Sequence, residues 1–307
     1  MTEDQLWPRA SSWIAPYVSG TPTDLLMLGV PAHRTSISVT GADATPAAVR
    51  AALARYSTYS WSRGSDVATL TAADAGDVED PDFDEGEQRV INRVREVRGD
   101  ARMLFAVGGD NSLTYSVAMG MLGDDLSRAG LITLDAHHDL RDGRSNGSPV
   151  RRLIEAGLPG SHVVQIGIAD FSNSPAYAAR ARELGITVVT RAALRGRAMS
   201  DVMAEALAIA GTAGGDIHVD LDVDVCDRSV VPACPAAAPG GITADELRQA
   251  AFHAGRSPHV RSIDIAEIDA TADAPDQRTV RLGALCLLEA ASGLATRREA
   301  ERQWSGQ

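Results

Sequence analysis

Short apolar runs alternate along the chain with longer segments whose apolar positions recur at helical spacing, the pattern of strand–helix units wound around a mainly parallel sheet. The apolar runs predict strands at 24–30, 102–107, 131–135, 162–168, 187–190, 217–222 and 260–266. The helix-period segments predict helices at 46–56, 112–122, 149–156, 175–184, 199–210, 244–254 and 278–291. Two helix starts carry plain signals: Thr45 ahead of Pro46, and Thr243-Ala-Asp-Glu246 as a capping box. The polar stretch 74–87 reads as a connecting loop. With no repeat and no dividing linker, residues 1–307 read as a single domain. Right-handed crossovers place helices on both faces of such a sheet, so ligands should gather at the carboxyl ends of the strands.

Composition narrows the picture. A hydrophobic content of 44% supports a sizeable core, and no run approaches the roughly 18 uninterrupted apolar residues of a membrane span. The N-terminal segment lacks a basic stretch followed by a long apolar one, so a cytoplasmic location is expected. A formal charge of −12 argues against nucleic acid, which needs a basic face. Cys226, Cys234 and Cys286 fit reduced thiols better than a disulfide framework, and the spacing of the first two, with no second pair nearby, argues against zinc.

The chemistry concentrates at predicted strand ends. The strand at 131–135 runs into Asp135-Ala-His137-His138-Asp139, where acid, imidazole and acid alternate and so point the same way in an extended segment. The strand at 217–222 runs into Asp220-Leu-Asp222-Val-Asp224-Val-Cys-Asp227, again with acids at period two. One aspartate at a strand end usually caps a helix or shapes a turn. Two such faces meeting at adjacent strand ends would repel each other without cations, so the pattern predicts divalent metal. Mostly oxygen ligands with an imidazole favour Mn²⁺ over zinc. Bridging carboxylates allow two ions about 3.5–4 Å apart, an arrangement suited to activating water for hydrolysis. By the same period His138 should point to the other face. The remaining histidines, His33, His162, His218, His253 and His259, read as structural or surface residues.

The segments GGDNS at 108–112, DAHHD at 135–139, DLDVDVCD at 220–227, PACPAAAPGG at 232–241 and DIAEID at 264–269 together resemble the ureohydrolase superfamily of arginases, agmatinases and formimidoylglutamases. The resemblance runs from the DAGD segment at 74–77 through Glu267. It implies a three-layer αβα sandwich on a mainly parallel, about eight-stranded sheet, two Mn²⁺ ions and a trimeric or hexameric assembly. By matching positions, Asp135 and Asp222 would bridge the ions, Asp139 with Asn111 would serve the first, and His137 with Asp224 the second. Asp135, Asp222 and Glu267 would form the catalytic set, and Glu267 would also grip a cationic amidine or guanidine, whose paired N–H groups suit a carboxylate.

Two departures from the family pattern place asparagine where histidine is usual. Asn111 replaces an imidazole ligand, which would leave the first ion weak or absent. Asn146 stands where arginase-like members carry a proton-shuttling histidine and formimidoylglutamase-like members do not. Asp139-Leu-Arg141 and the segment 276–282 lean the same way, with Arg141, Ser145 and Asn146 as substrate-binding candidates. A glutamate-derived substrate offers carboxylates to Arg141, a bidentate donor. Hydrolysis of N-formimidoyl-L-glutamate to L-glutamate and formamide is the expectation. Release of urea from a guanidino compound is the alternative enzyme, and a member that has lost catalysis and serves as a binding protein is the other class.

Overall fold

A computed structural model describes Asp4 and residues 6–305, without the side chains of 300–305. In chain order the strands are β1 (Ala15–Pro16), β2 (Thr23–Val30), β3 (Tyr59–Ser60), β4 (Ser65–Asp66), β5 (Ala72–Asp77), β6 (Ala101–Gly108), β7 (Gly130–Leu134), β8 (Val163–Ile168), β9 (Thr187–Thr190), β10 (Ile217–Asp222) and β11 (Val260–Ala266). The helices are α1 (Thr45–Ala52), α2 (Phe83–Val97), α3 (Leu113–Leu122), α4 (Pro149–Glu155), α5 (Pro175–Glu183), α6 (Arg191–Leu194), α7 (Met199–Ala210), α8 (Ala244–Arg256) and α9 (Arg278–Ser305). All strands but β3 and β4 form one nine-stranded sheet in the order β1-β5-β2-β6-β11-β10-β7-β8-β9. Every neighbouring pair in it is parallel. The count exceeds the expected eight because the short edge strand β1 joins β5.

Strands covered on both faces should be apolar throughout, and β2, β6, β7 and β8 are buried almost end to end. One core layer includes Met27, Phe105, Ile132, Val219, Ile263 and Leu287, and the other includes Leu28, Leu104, Val117, Leu131 and Val150, so the sheet separates two helical layers. The apolar stretch of α9 has the length and hydropathy of a membrane span, yet 72% of it is buried inside the fold, as befits a core helix.

Two expectations about the elements need correction. The stretch 74–87 is not loop: it holds the end of β5 and the start of α2. The apolar positions of α2, Val90, Ile91, Val94 and Val97, follow a charged first turn that masks the period. Thr45 does not cap α1 from outside; it lies within the helix and donates its hydroxyl to the Ile268 carbonyl. The capping box does form, with Thr243 Oγ1 accepting from Glu246 N–H at 3.2 Å and Glu246 Oε2 accepting from Thr243 N–H at 2.7 Å.

Candidate metal and substrate site

Four adjacent strands, β6, β11, β10 and β7, release the chain at one edge of the sheet. Their carboxyl ends carry Gly109–Ser112, Glu267, Asp222–Asp224 and Asp135–Asp139, so the topology joins segments far apart in sequence. A cavity of about 370 Å³ opens there, lined among others by His137, Asp139, Arg141, Asn146, Asp222, Asp224 and Glu267. Asp139 and Glu267 both adopt left-handed backbone conformations, with φ of 53° and 64°. Such strain in non-glycine residues persists only where surrounding contacts enforce it.

Asp135, His137 and Asp224 draw closest, each offering a ligand atom within 4.8 Å of the others. His137 Nδ1 lies 2.7 Å from Asp224 Oδ2 and 3.4 Å from Asp135 Oδ1. Asp135 is fully buried and its Oδ2 has no hydrogen-bond partner among the described residues. An orphaned carboxylate oxygen beside an imidazole and a second carboxylate fits a divalent cation of the Mn²⁺ type. Asp139 and Asp222 line the same cavity but stand outside this tight trio. The residues assigned by resemblance to the second ion, with the bridging Asp135, are therefore those the fold brings together most tightly.

Electrostatics point the same way. Burial, then Asp224, pushes Asp135 up to about 6. Burial, reinforced by neighbouring carboxylates, raises Asp139 and Asp222 well above the usual range. Burial opposes charge on His137, but Asp135 and Asp224 outweigh it and push the imidazole up to about 11. Against its own burial, Asp224 is held low by His137. Without metal, imidazolium thus serves as the cation of the cluster, and a ligating imidazole must surrender that proton.

Other candidates fall elsewhere. Asn111 does not present its carbonyl oxygen to the cluster: Oδ1 accepts from Thr114 Oγ1 at 2.8 Å, while Nδ2 donates to Asp139 Oδ2 at 2.6 Å. It holds an acid instead of replacing a ligand. Ser145 is absent from the cavity wall; its Oγ accepts from Gly147 N–H at 3.2 Å and shapes the loop. Asp220 shares the period of Asp222 but lies a layer deeper, where burial and Asp264 raise it well above the usual range. Asp264 in turn meets His218 Nε2 at 2.9 Å. His138 Nδ1 meets Gln165 Oε1 at 2.6 Å, yet the residue also lines the cavity beside His137 and Asp139, where the chain has left the strand. The three cysteines are free and buried.

Glu267 Oε1 accepts from Asn111 N–H at 2.8 Å and Asn146 Nδ2 at 2.9 Å. Burial, then Asp110, pushes Glu267 up to about 7. Arg141 sits at the rim, its guanidinium making no ion pair among the described residues. Its stem packs over Gly147, where a Cβ would come within 2.7 Å of Arg141 Cδ, and its N–H donates to the Gly147 carbonyl at 2.9 Å. Pattern reading missed Asn173 and Gln165, which grip the 136–138 segment.

Parallel strands between two helical layers, with carboxylates and an imidazole gathered at the central strand ends, define the class: an αβα metal-dependent hydrolase. The chain belongs to the arginase family, whose model matches residues 23–293. It is similar to the formimidoylglutamase of Bacillus subtilis (strain 168), with 34% identity over 277 residues covering 87% of this chain and 86% of that protein. It is also similar to the formimidoylglutamase of Halalkalibacterium halodurans, at 35% over 256 residues and 80% of each. The crystal structure of the Bacillus subtilis protein superposes with a TM-score of 0.90 at 32% identity, over 96% of this chain and 94% of that one. That of Trypanosoma cruzi formiminoglutamase with Mn²⁺ superposes with a TM-score of 0.86 at 25% identity, over 95% and 99%.

Proposed function

We propose that the chain hydrolyses N-formimidoyl-L-glutamate to L-glutamate and formamide, as a cytoplasmic trimer or hexamer. Asp135, His137, Asp139, Asp222 and Asp224 hold Mn²⁺ in this reading. The observation that carries it is one cavity with a buried carboxylate, Glu267, beside the acidic cluster and a guanidinium at its rim, Arg141, that makes no ion pair among the described residues. Mn²⁺ bound there supplies Lewis acidity and lowers the pKa of water.

The chain's own residues do the rest. Glu267, fixed through Oε1 by two donors, keeps Oε2 for an amidinium N–H. Its raised proton affinity places it near half ionisation at neutral pH, and a cationic substrate favours the charged form. Arg141 takes a substrate carboxylate and sets which end of the molecule enters first. Asn146 spends Nδ2 on Glu267 and Oδ1 on the Ile37 N–H at 3.1 Å, so it orients the amidine-gripping carboxylate and ties down the loop above it. A carboxamide has no proton to shuttle, and the reading therefore disfavours arginase-like chemistry.

Incubating Mn²⁺-loaded protein with formimidoylglutamate, agmatine and a set of guanidino acids tests this. Formamide and glutamate in equal amounts are expected. Urea from a guanidino compound, with formimidoylglutamate untouched, would transfer the assignment to the guanidino hydrolases, and no turnover of any would favour a binding protein.

A further inference from the structure

We propose that Asn173 is a positioning residue for the metal centre, its carboxamide bracketing His137 where the backbone ladder is left half made. The regular ladder between β7 and β8 ends at the pair Leu134 and Ile166. Asp135 N–H still reaches the Ile166 carbonyl at 3.0 Å and Ala169 N–H reaches the Ala136 carbonyl at 3.0 Å, after which β8 turns away. Ala169 thus makes one bond of the rung opposite His137, at the Ala136 carbonyl, while the other, at the His138 N–H, has no backbone partner among the described residues.

The side chain of Asn173 completes that rung, sharing the Ala136 carbonyl with Ala169. Its Nδ2 donates to the Ala136 carbonyl at 2.9 Å, and its Oδ1 accepts from His138 N–H at 3.0 Å. In a parallel ladder a residue bonds to the carbonyl before, and the N–H after, the residue it faces. Asn173 reproduces both bonds with one planar amide, and the residue it faces is His137. The rung fixes the peptides on either side of His137 and so the direction in which its imidazole leaves the backbone, toward Asp224.

Gln165 braces the next peptide. Its Nε2 donates to the His138 carbonyl at 2.9 Å and its Oε1 meets His138 Nδ1 at 2.6 Å. Because Oε1 can only accept, His138 Nδ1 carries the proton, and the two residues form a closed pair. The pair holds His138 while Asn173 sets His137. Partners that orient a ligand without touching the metal typically contribute about 10–100-fold in affinity.

This inference rests on His137 being a ligand, and the test separates the two claims. Mn²⁺ binding to metal-stripped full-length protein is measured calorimetrically for wild type, Asn173→Ala, His137→Ala and the double variant, with the melting temperature of each metal-free protein as a fold control. Asn173→Ser serves if the alanine variant does not fold. The expectation is a roughly 10–100-fold weaker affinity for the Asn173 variant, with a smaller or absent further loss when His137 is already alanine. A folded Asn173 variant that binds Mn²⁺ as tightly as wild type overturns the proposal, as does an equal loss in both backgrounds. An unchanged affinity in His137→Ala overturns the ligand assignment itself.

Discussion

Asp222 accepts the Asp224 N–H at 2.8 Å and keeps the rest of its carboxylate for the cavity it lines, so one side chain both shapes its turn and faces the place proposed for the ions. Asp222→Asn keeps that shape and removes the charge. It should lose Mn²⁺ affinity by more than the roughly 10–100-fold of an orienting partner and lose turnover with it; metal analysis after dialysis and a formamide assay check both, and retained turnover would refute the site. Arg141 calls for a different split. A charge-assisted contact contributes about 1.5–3 kcal/mol, and an exposed arginine takes the low end, so Arg141→Ala should raise KM about tenfold with kcat nearly unchanged. A substrate analogue lacking the recognised carboxylate should then be used equally by variant and wild type. At this scale, period two picked out Asp135, His137 and Asp139, although the chain leaves the strand after Leu134 and Asp139 reaches the cavity through a left-handed turn and not by alternation. It could not tell Asp222 from Asp220, since depth below the cavity floor depends on where the strand ends. Glu267, Arg141 and Asn146 were legible only through family resemblance. The amide rotation that turns Asn111 into a donor, and the carboxamides of Asn173 and Gln165, acquire meaning only from neighbours distant in sequence.

Helix α2, hidden behind its acidic start, shows what holds the elements in place. Glu87 receives both arms of the Arg152 guanidinium, at 2.7 Å each, with the two side chains only 9% and 12% exposed. The Arg152 guanidinium also stacks 3.7 Å from the Tyr115 ring centre, so α2, α3 and α4 meet through one cation. Removing one partner of a nearly buried pair strands the other, at a cost of about 3 kcal/mol. Glu87→Ala should lose that much in urea unfolding of the metal-free protein, and a loss below 1 kcal/mol would show that water screens the pair. Most apolar strands and helices were read to within a few residues, and β9, β10, β11 and α7 to the residue, but α9 runs 14 residues past its expected end at 291, to Ser305. Strand β5 was missed because Ala72-Ala-Asp-Ala-Gly-Asp77 contains no β-branched or aromatic residue, and its place is set by Arg50, which grips Asp74 and Asp77.

At the scale of the whole molecule, the site trades stability for metal affinity. Asp135, Asp139, Asp222 and Glu267 all have proton affinities raised by burial and by one another, with Asp135 near 6 and Glu267 near 7. For each, the folded state binds protons more tightly than the unfolded chain, whose carboxyls titrate near 4. The folded state therefore holds more protons between pH 4 and about 7, and the linkage slope makes stability fall as pH rises across that window. His137 works in the same direction at higher pH, since its raised affinity stabilises the fold below about 6.5 and that contribution is lost as pH climbs toward 11. Asp224, held low by His137, acts oppositely but only in acid, below the pH at which its unfolded form ionises. Metal-free protein should accordingly melt at a lower temperature at pH 7.5 than at pH 5.5. Mn²⁺ should reverse that order, because it replaces the missing protons as the counter-charge and is itself bound better once they have left. At a hundred times its dissociation constant the ion adds about 2.7 kcal/mol, or about 5 °C in a chain of this size. Melting curves with chelator and with Mn²⁺ at the two pH values read both effects, and a metal-free protein that grows more stable from pH 5.5 to 7.5 would mean that the carboxylates are not held together in the way the cavity requires.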